Sequence, residues 1–191
     1  MAHPWATYRD LAGRPPEPGW PTLLRRPALF ALILGACLSL TTSGRFTLRL
    51  ILGGAAVWSF APLLQIAGAA AALPLARRRL PFSRAIDLYF LAHGPWSLWL
   101  LAVAGGLALL PARRSFALVA TLAAWAWLSV LLPLAWSGII TFAFFREALQ
   151  MSRPRALGGL AVHGFVVWGA VLAFFLLSGQ LWPRILAALP P

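Results

Sequence analysis

Five long apolar stretches, separated by short connections that carry arginine, constrain the fold of this chain more than any other feature. They begin near Pro27, Leu50, Ile86, Phe116 and Ala156. Each is long enough to cross a membrane, because a helix needs roughly 20 residues to span the hydrocarbon. Backbone polar groups in that layer must be hydrogen-bonded within the protein, which favours helices. The sequence therefore predicts an all-α, polytopic transmembrane helical bundle of about five spans.

The domain organisation follows from the length of 191 residues. Residues 1–26 are polar and rich in proline and arginine, and they lack the apolar core of a signal peptide, so we expect a retained cytoplasmic or interfacial tail. Residues 27–191 are predicted to form one five-helix transmembrane domain with little room for a soluble module. The predicted spans are 27–44, 50–76, 86–110, 116–145 and 156–181.

The basic residues are distributed as in a membrane protein rather than a nucleic-acid-binding one. All 16 are arginine, and only four acidic residues oppose them, which gives a net charge of +12. They lie at the ends of apolar spans, where guanidinium groups bind phosphate headgroups and set topology. We therefore predict a bilayer containing anionic lipids as partner and no nucleic acid. The headgroup and topology residues are Arg25, Arg26, Arg77, Arg78, Arg79, Arg84, Arg146, Arg153 and Arg155.

The arginine count also predicts the orientation. Four arginines in the tail, four between the second and third spans and three between the fourth and fifth fall on one side. The other side receives five, among them Arg113 and Arg114. The positive-inside rule then favours N-in and C-out. The absence of lysine beside abundant Ala, Gly, Arg and Pro is typical of a GC-rich genome, so we expect a bacterial cytoplasmic (inner) membrane.

Prolines and small residues predict how the spans bend and pack. Pro62 and Pro133 interrupt the second and fourth spans and predict kinks, because proline removes a helical hydrogen bond. Gly53 and Gly54 belong to a run of small residues in the second span, with spacings that let transmembrane backbones approach closely. We therefore expect the second span to be central in the bundle.

Two histidines are the strongest candidates for a binding site. His93 follows Arg84 by nine residues and His163 follows Arg155 by eight, so both imidazoles lie at a similar depth on parallel helices. That placement suits bis-imidazole ligation of a b-type haem, or a proton or ion path. The simpler interpretation is that each neutral imidazole makes one interhelical hydrogen bond and packs.

Asp87 allows two interpretations. It follows Arg84 by three residues, which predicts a local ion pair on one helix face. Alternatively, Asp87, Tyr89 and His93 line a polar crevice. The helical geometry argues against the crevice, because His93 is rotated by about 120° from Asp87 around the helix.

The chain has 10 tryptophans, and five of them lie well inside spans: Trp58, Trp96, Trp99, Trp125 and Trp127. They would pack against the span rich in glycine and alanine, or line a site for a quinone, pigment or lipid chain. Packing or an interface with other subunits is the interpretation we favour.

Catalytic and metal-binding motifs are missing from the sequence. It contains no H-E-x-x-H, no P-loop and no serine nucleophile elbow. Its single cysteine, Cys37, cannot form an intrachain disulfide or a thiolate metal cluster. We therefore expect a protein that is not an enzyme, with no catalytic residues and no metal site. The polar residues that could serve a transporter within the spans are Gln65, Asp87, His93 and His163. This set is sparse for a coupled transporter.

Two segments resemble a known family. The opening H-P-W-A-T-Y-R-D-L and the loop F-F-R-E-A-L-Q-M-S-R-P-R-A (Phe144 to Ala156), together with five spans, are similar to the Yip family of five-span membrane proteins. Eukaryotic members of that family interact with Rab GTPases. The acidic cytoplasmic tail of those members is missing here. The resemblance implies a non-enzymatic scaffold, and not a GTPase partner.

Two functional hypotheses follow. The first is a non-enzymatic integral membrane scaffold or accessory subunit that packs in or on a larger membrane complex and needs no cofactor. The second is a membrane redox subunit that ligates haem b through His93 and His163.

Overall fold

The computed structural model of the protein describes residues 3–15, 19–109 and 116–188. Every regular element in those ranges is helical, and five of the helices are long and apolar enough to cross a membrane. The five candidate spans are Trp20–Ser43, Leu48–Leu75, Phe82–Ala108, Ala124–Ala148 and Arg153–Leu177. The protein is thus an all-α bundle of five apolar helices, as predicted, and its environment is a lipid bilayer.

The described elements divide the spans into shorter helices. In chain order they are α1 (Pro4–Gly13), α2 (Trp20–Ser43), α3 (Leu48–Val57), α4 (Phe60–Ala72), α5 (Phe82–Tyr89), α6 (Gly94–Ala108), α7 (Phe116–Ser129), α8 (Leu131–Ala143) and α9 (Arg153–Ala188). Short 3₁₀ turns follow α4 and α5, and a π-helical turn at Phe144–Ala148 follows α8. Helix α2 begins at Trp20, ahead of the predicted Pro27, which lies inside the helix. Of the predicted outer loop, Arg113 and Arg114 lie outside the described residues.

Prolines cause the breaks in the middle of the spans. The second span breaks at Trp58 and Ser59, just before Pro62, and the fourth breaks at Val130, just before Pro133. Proline cannot donate to the carbonyl four residues earlier, so the helix interrupts its hydrogen-bond ladder there. The predicted kinks at Pro62 and Pro133 are confirmed. A third break precedes Pro95, where a 3₁₀ turn joins α5 to α6.

Glycine permits a close contact between the first two spans of the bundle. A Cβ atom on Gly35 of α2 would collide with the backbone carbonyl oxygen of Ile51 in α3. A Cβ atom on Gly54 would lie 2.8 Å from the Cα of Gly35. The tight turn between these helices begins at Gly44, whose φ of 66° is in the left-handed region. Small residues therefore bring α2 and α3 into backbone contact.

The core lies at one end of the bundle, where the N-terminal helix α1 packs. Tyr8 of α1 is fully buried and contacts the ring of Phe144 at a centroid distance of 5.7 Å. The tail is therefore partly a packed helix rather than an irregular segment. The buried cluster around it comprises Tyr8, Ala12, Ala69, Ala72, Ile86, Leu88, Tyr89, Phe90, Ala92, Ile140, Ala143, Phe144, Phe145, Ala148, Leu149, Met151 and Ala156.

Candidate functional site

Asp87 of α5 is fully buried and is surrounded by arginine side chains. Its Oδ1 lies 3.3 Å from Nη2 of Arg25 and 3.1 Å from Nε of Arg26, and its Oδ2 lies 3.6 Å from Nη1 of Arg84. Arg26 also donates from Nη1 to the Asp87 carbonyl oxygen at 2.8 Å. The predicted pair with Arg84 is present, but it is one part of a larger cluster that ties the start of α2 to α5.

The arginines near Asp87 also hold α1 on the bundle. Arg84 donates from Nη2 to the carbonyl of Leu11 at 2.9 Å, and Arg78 donates from Nη2 to the carbonyl of Ala12 at 2.7 Å. The last carbonyls of a helix have no partner within it and carry partial negative charge, so guanidinium groups are favourable there. Arg84 of α5 and Arg78 of the connection between the second and third spans thus cap the C-terminus of α1.

Tyr8 fixes the other side of α1. Its hydroxyl donates to the carbonyl of Leu88 at 3.1 Å. Burial raises the pKa of Tyr8 well above its usual range, and the nearby Arg26 guanidinium lowers the pKa by less. The phenol is therefore neutral and remains a hydrogen-bond donor at physiological pH.

The predicted headgroup arginines fall into two groups. Arg84 is only 8% exposed, and Arg146 donates from Nη1 to the carbonyl of Met151 at 2.6 Å, so both make bonds within the protein. Arg26 and Arg78 do the same, as described above. The exposed members of the predicted set are Arg25, Arg77, Arg79, Arg153 and Arg155, of which Arg25 also contacts Asp87.

A second polar cluster joins three spans inside the bundle. The Tyr89 hydroxyl lies 2.6 Å from Oε1 of Gln65 and 2.5 Å from Nε2 of His163. His163 Nε2 lies 3.1 Å from the same Gln65 oxygen. One arrangement of hydrogens satisfies all three contacts: Nε2–H of His163 donates to the tyrosine and glutamine oxygens, and the tyrosine donates to glutamine. We call Gln65, Tyr89 and His163 the polar triad.

A glycine makes room for the polar triad. A Cβ atom on Gly68 of α4 would lie 2.8 Å from Cδ2 of His163 and 2.9 Å from Cγ2 of Val167. Helix α9 can therefore approach α4 only because residue 68 has no side chain. This approach brings the His163 imidazole within reach of Gln65 on the preceding turn of α4.

His93 lies beside the polar triad but is not part of it. Its imidazole is 7% exposed, stacks on Phe90 at 4.6 Å, and meets the rings of Phe30 and Tyr89 edge-on at 5.0 and 5.2 Å. Its Nδ1 atom is buried and has no hydrogen-bond partner among the described residues. A buried polar atom without a partner is unfavourable, so this nitrogen is suited to a hydrogen bond from a further molecule.

His93 and the polar triad lie on the wall of a cavity of about 530 Å³. Its other described walls are mainly aromatic and aliphatic, with hydroxyl groups from Ser137 and Thr141. No arginine, aspartate or glutamate occurs among the described residues that line it. Tyr89 and His93 lie on this wall, as the predicted crevice required, but Asp87 does not.

The two histidines considered as haem ligands both contact the Tyr89 ring, at centroid distances of 5.2 Å to His93 and 5.3 Å to His163. Bis-imidazole ligation would require His163 Nε2, which faces Tyr89 and Gln65, to leave the polar triad. The haem propionates would also find no arginine on the described cavity wall. Among the described residues, no three His, Cys, Asp or Glu side chains are grouped closely enough to hold a metal ion.

The five tryptophans have different surroundings. Trp96 Nε1 donates to Ser137 and Trp99 Nε1 donates to Ser129, both at 2.9 Å, which links the third span to the fourth. These two indoles therefore have their partners in α7 and α8. Trp58 stacks on Phe60 with ring centroids 5.5 Å apart. Trp125 and Trp127 are about 200° apart around α7 and are 67% and 77% exposed.

The sequence identifies the polar residues of both clusters, but of their partners it predicts only Arg84 for Asp87. It named Gln65, Tyr89 and His163 separately, and it assigned Arg25 and Arg26 to lipid headgroups. One signal could have found the partners. Buried carboxylates and imidazoles need polar partners, and the spans contain few polar residues that could serve.

Comparisons with protein families, curated proteins and solved structures find no match to this chain. The resemblance to the Yip family stays a prediction.

Proposed function

We propose that the protein is a non-enzymatic accessory subunit that packs in or on a larger complex in a bacterial inner membrane. The supporting observation is that its packing is dense at the α1 end and sparse at the other. From 172 to 177, every residue of α9 is exposed, among them Phe174 and Phe175. Six consecutive residues cover all faces of a helix.

The fourth span is similar in this half of the bundle. In α7 and the start of α8, the exposed apolar residues include Trp125, Trp127 and Leu132. Helix α9 is 36 residues long, about 54 Å at 1.5 Å per residue, which exceeds the roughly 30 Å of hydrocarbon. A helix of this length, with large aromatic side chains, is suited to pack against membrane helices of another subunit.

Site-specific photo-crosslinking in native membranes tests this proposal. We would place a photoreactive amino acid at Trp127 or at Leu176, both exposed in the sparsely packed half. Leu24, which is 55% exposed near the α1 end, is the control position. We expect the same membrane protein to be captured in stoichiometric amounts from Trp127 and Leu176 and not from Leu24. Lipid adducts alone at all three positions would contradict the proposal.

The second candidate function is a redox subunit that holds haem b between His93 and His163. It is supported by the position of both imidazoles on one cavity, in contact with Tyr89. It requires the polar triad to open, a condition that the accessory role does not impose. A reduced-minus-oxidised absorption spectrum of the protein purified in mild detergent is the test. Soret and α bands that vanish in His163→Ala would favour the redox subunit, whereas a featureless spectrum would eliminate it.

A further inference from the structure

The cavity beside the polar triad has the size and lining of a binding site for a small lipophilic molecule. Its volume of about 530 Å³ is within the range of roughly 300 to 1,000 Å³ that is usual for such sites. Ring systems from several spans line it, including Phe30, Trp96 and Trp168. The occupant must therefore be mostly apolar.

The polar groups on the wall restrict the head of the ligand. The Tyr89 hydroxyl, Gln65 Oε1 and His163 Nε2 bond to one another, whereas His93 Nδ1 is buried without a partner among the described residues. Ser137 adds a hydroxyl group to the same wall. A single uncharged oxygen atom, as in a hydroxyl or carbonyl group, would satisfy the imidazole nitrogen. A carboxylate or phosphate would meet no cationic side chain on the described wall, and burying an unpaired charge is very unfavourable.

The depth of His93 excludes a phospholipid headgroup as its hydrogen-bonding partner. His93 lies eleven residues after the start of the third span at Phe82, roughly 15 Å from that end of the helix. A phospholipid keeps its charged headgroup at the membrane surface, so its head cannot reach the imidazole.

We propose that this cavity binds an uncharged amphiphilic lipid whose hydroxyl or carbonyl oxygen hydrogen-bonds to His93 and whose apolar body lies among the aromatic rings. The proposal does not depend on the accessory role, because the cavity is lined by side chains of this chain alone.

The probe is octadecanol carrying a mid-chain diazirine and a terminal alkyne, added to the full-length protein in detergent micelles. After irradiation, labelled peptides are mapped by mass spectrometry. We expect saturable labelling within α4, α6 and α9. Unlabelled octadecanol should compete, and octadecanoate at pH 8 should not. Non-saturable labelling, or equal competition by the carboxylate, would overturn the proposal.

Glycine variants test whether the label enters the cavity. Gly164 lines the cavity, and a Cβ atom there has open space within 4 Å, so Gly164→Leu fills the cavity without a backbone clash. Gly169 on the same helix also has open space but does not line the cavity, so Gly169→Leu is the matched control. We expect at least about a tenfold loss of saturable labelling in the first variant and no change in the second. Equal labelling in both would overturn the proposal. If Gly164→Leu does not fold, Gly138→Leu fills the same cavity from α8.

Two substitutions of His93 test the hydrogen bond. His93→Phe keeps an aromatic ring but removes the nitrogen, and we expect the half-saturating probe concentration to rise about tenfold. His93→Gln keeps a hydrogen-bonding group and should recover most of this loss. The same half-saturating concentration in the wild type and in His93→Phe would contradict the role of His93. A probe carrying a ketone in place of the alcohol distinguishes the two head groups.

Discussion

At the residue scale, the most consequential group is Asp87, because it is the one fully buried carboxylate among the described residues and it faces three arginines. Asp10 makes a pair of the same type with Arg14, but that pair is exposed on the surface of α1. Charges in water interact weakly, whereas removing one partner from a buried cluster leaves the others uncompensated. The two carboxylates therefore have very different effects on stability.

Asp87→Asn should lower the free energy of unfolding by about 3 to 5 kcal/mol, because Arg26 and Arg84 lose their buried counter-charge. Asp10→Asn is the control and should change that free energy by less than about 0.5 kcal/mol. Thermal unfolding of the purified protein in detergent measures both. Equal shifts of the midpoint in the two variants would contradict the buried cluster.

Ionisation of Tyr8 weakens the docking of α1 at alkaline pH. Burial raises the pKa of Tyr8 in the folded protein, whereas the free phenol has a pKa of about 10. The folded state therefore keeps its proton at pH values where the released tail loses it. Stability from this group is fully present below about pH 10 and is lost as the pH rises further.

We expect proteolysis of the N-terminal tail to accelerate between about pH 10 and pH 11, with up to about 1.4 kcal/mol of docking free energy lost per pH unit. Tyr8→Phe should be about 1 kcal/mol less stably docked at pH 8, because it lacks the bond to Leu88, and should show a weaker rise with pH. The same steepness in both proteins would exclude Tyr8 as the titrating group.

At the element scale, glycines and prolines decide how the spans fit together. Gly35, Gly54 and Gly68 lie where another helix approaches too closely for a side chain. Pro62 and Pro133 break the second and fourth spans. Each break interrupts the helix in the middle of its span.

Gly54→Ala and Gly53→Ala form a matched pair on α3. A Cβ atom at Gly54 would lie 2.8 Å from the Cα of Gly35 and 3.0 Å from Cδ2 of Leu38, whereas Gly53 faces open space. We expect Gly54→Ala to destabilise the protein by about 1 to 3 kcal/mol. Gly53→Ala should be neutral or stabilising by up to about 1 kcal/mol, because alanine is the better helix former. Thermal unfolding in detergent distinguishes them, and indistinguishable midpoints would argue against the close contact of α2 and α3.

At the scale of the whole molecule, the α1 end contains most of the buried residues and the opposite half exposes aromatic side chains. We propose that the sparsely packed half is the one that meets a partner subunit. The arginines are also unevenly distributed, because the tail and two of the connections carry most of them. Those arginines predict that the α1 end is cytoplasmic.

Cysteine labelling in intact cells tests the orientation. In a Cys37→Ala background, we expect a membrane-impermeant maleimide to label Ser43→Cys, at the C-terminal end of α2, from outside. Ala6→Cys, on the exposed face of α1, should react only after the membrane is permeabilised. The reverse pattern would show that the N-terminus is outside.

The architecture can be predicted from the amino-acid sequence alone. Five apolar runs are long enough to cross a membrane, and their backbone groups must be hydrogen-bonded within helices there. The sequence also locates the breaks, since Pro62 and Pro133 act on their own helices. These features depend on residues close together in the chain.

The partners of most polar groups can be read only from the three-dimensional packing of the spans. The contacts of Asp87 with Arg25 and Arg26, and of His163 with Gln65, join residues from different spans. Helical periodicity specifies the face of a residue on its own helix, but the rotation and distance of neighbouring helices depend on packing across the whole bundle. The docking of α1 also depends on packing across the bundle, because its buried face is complete only when α5 and α8 are in place.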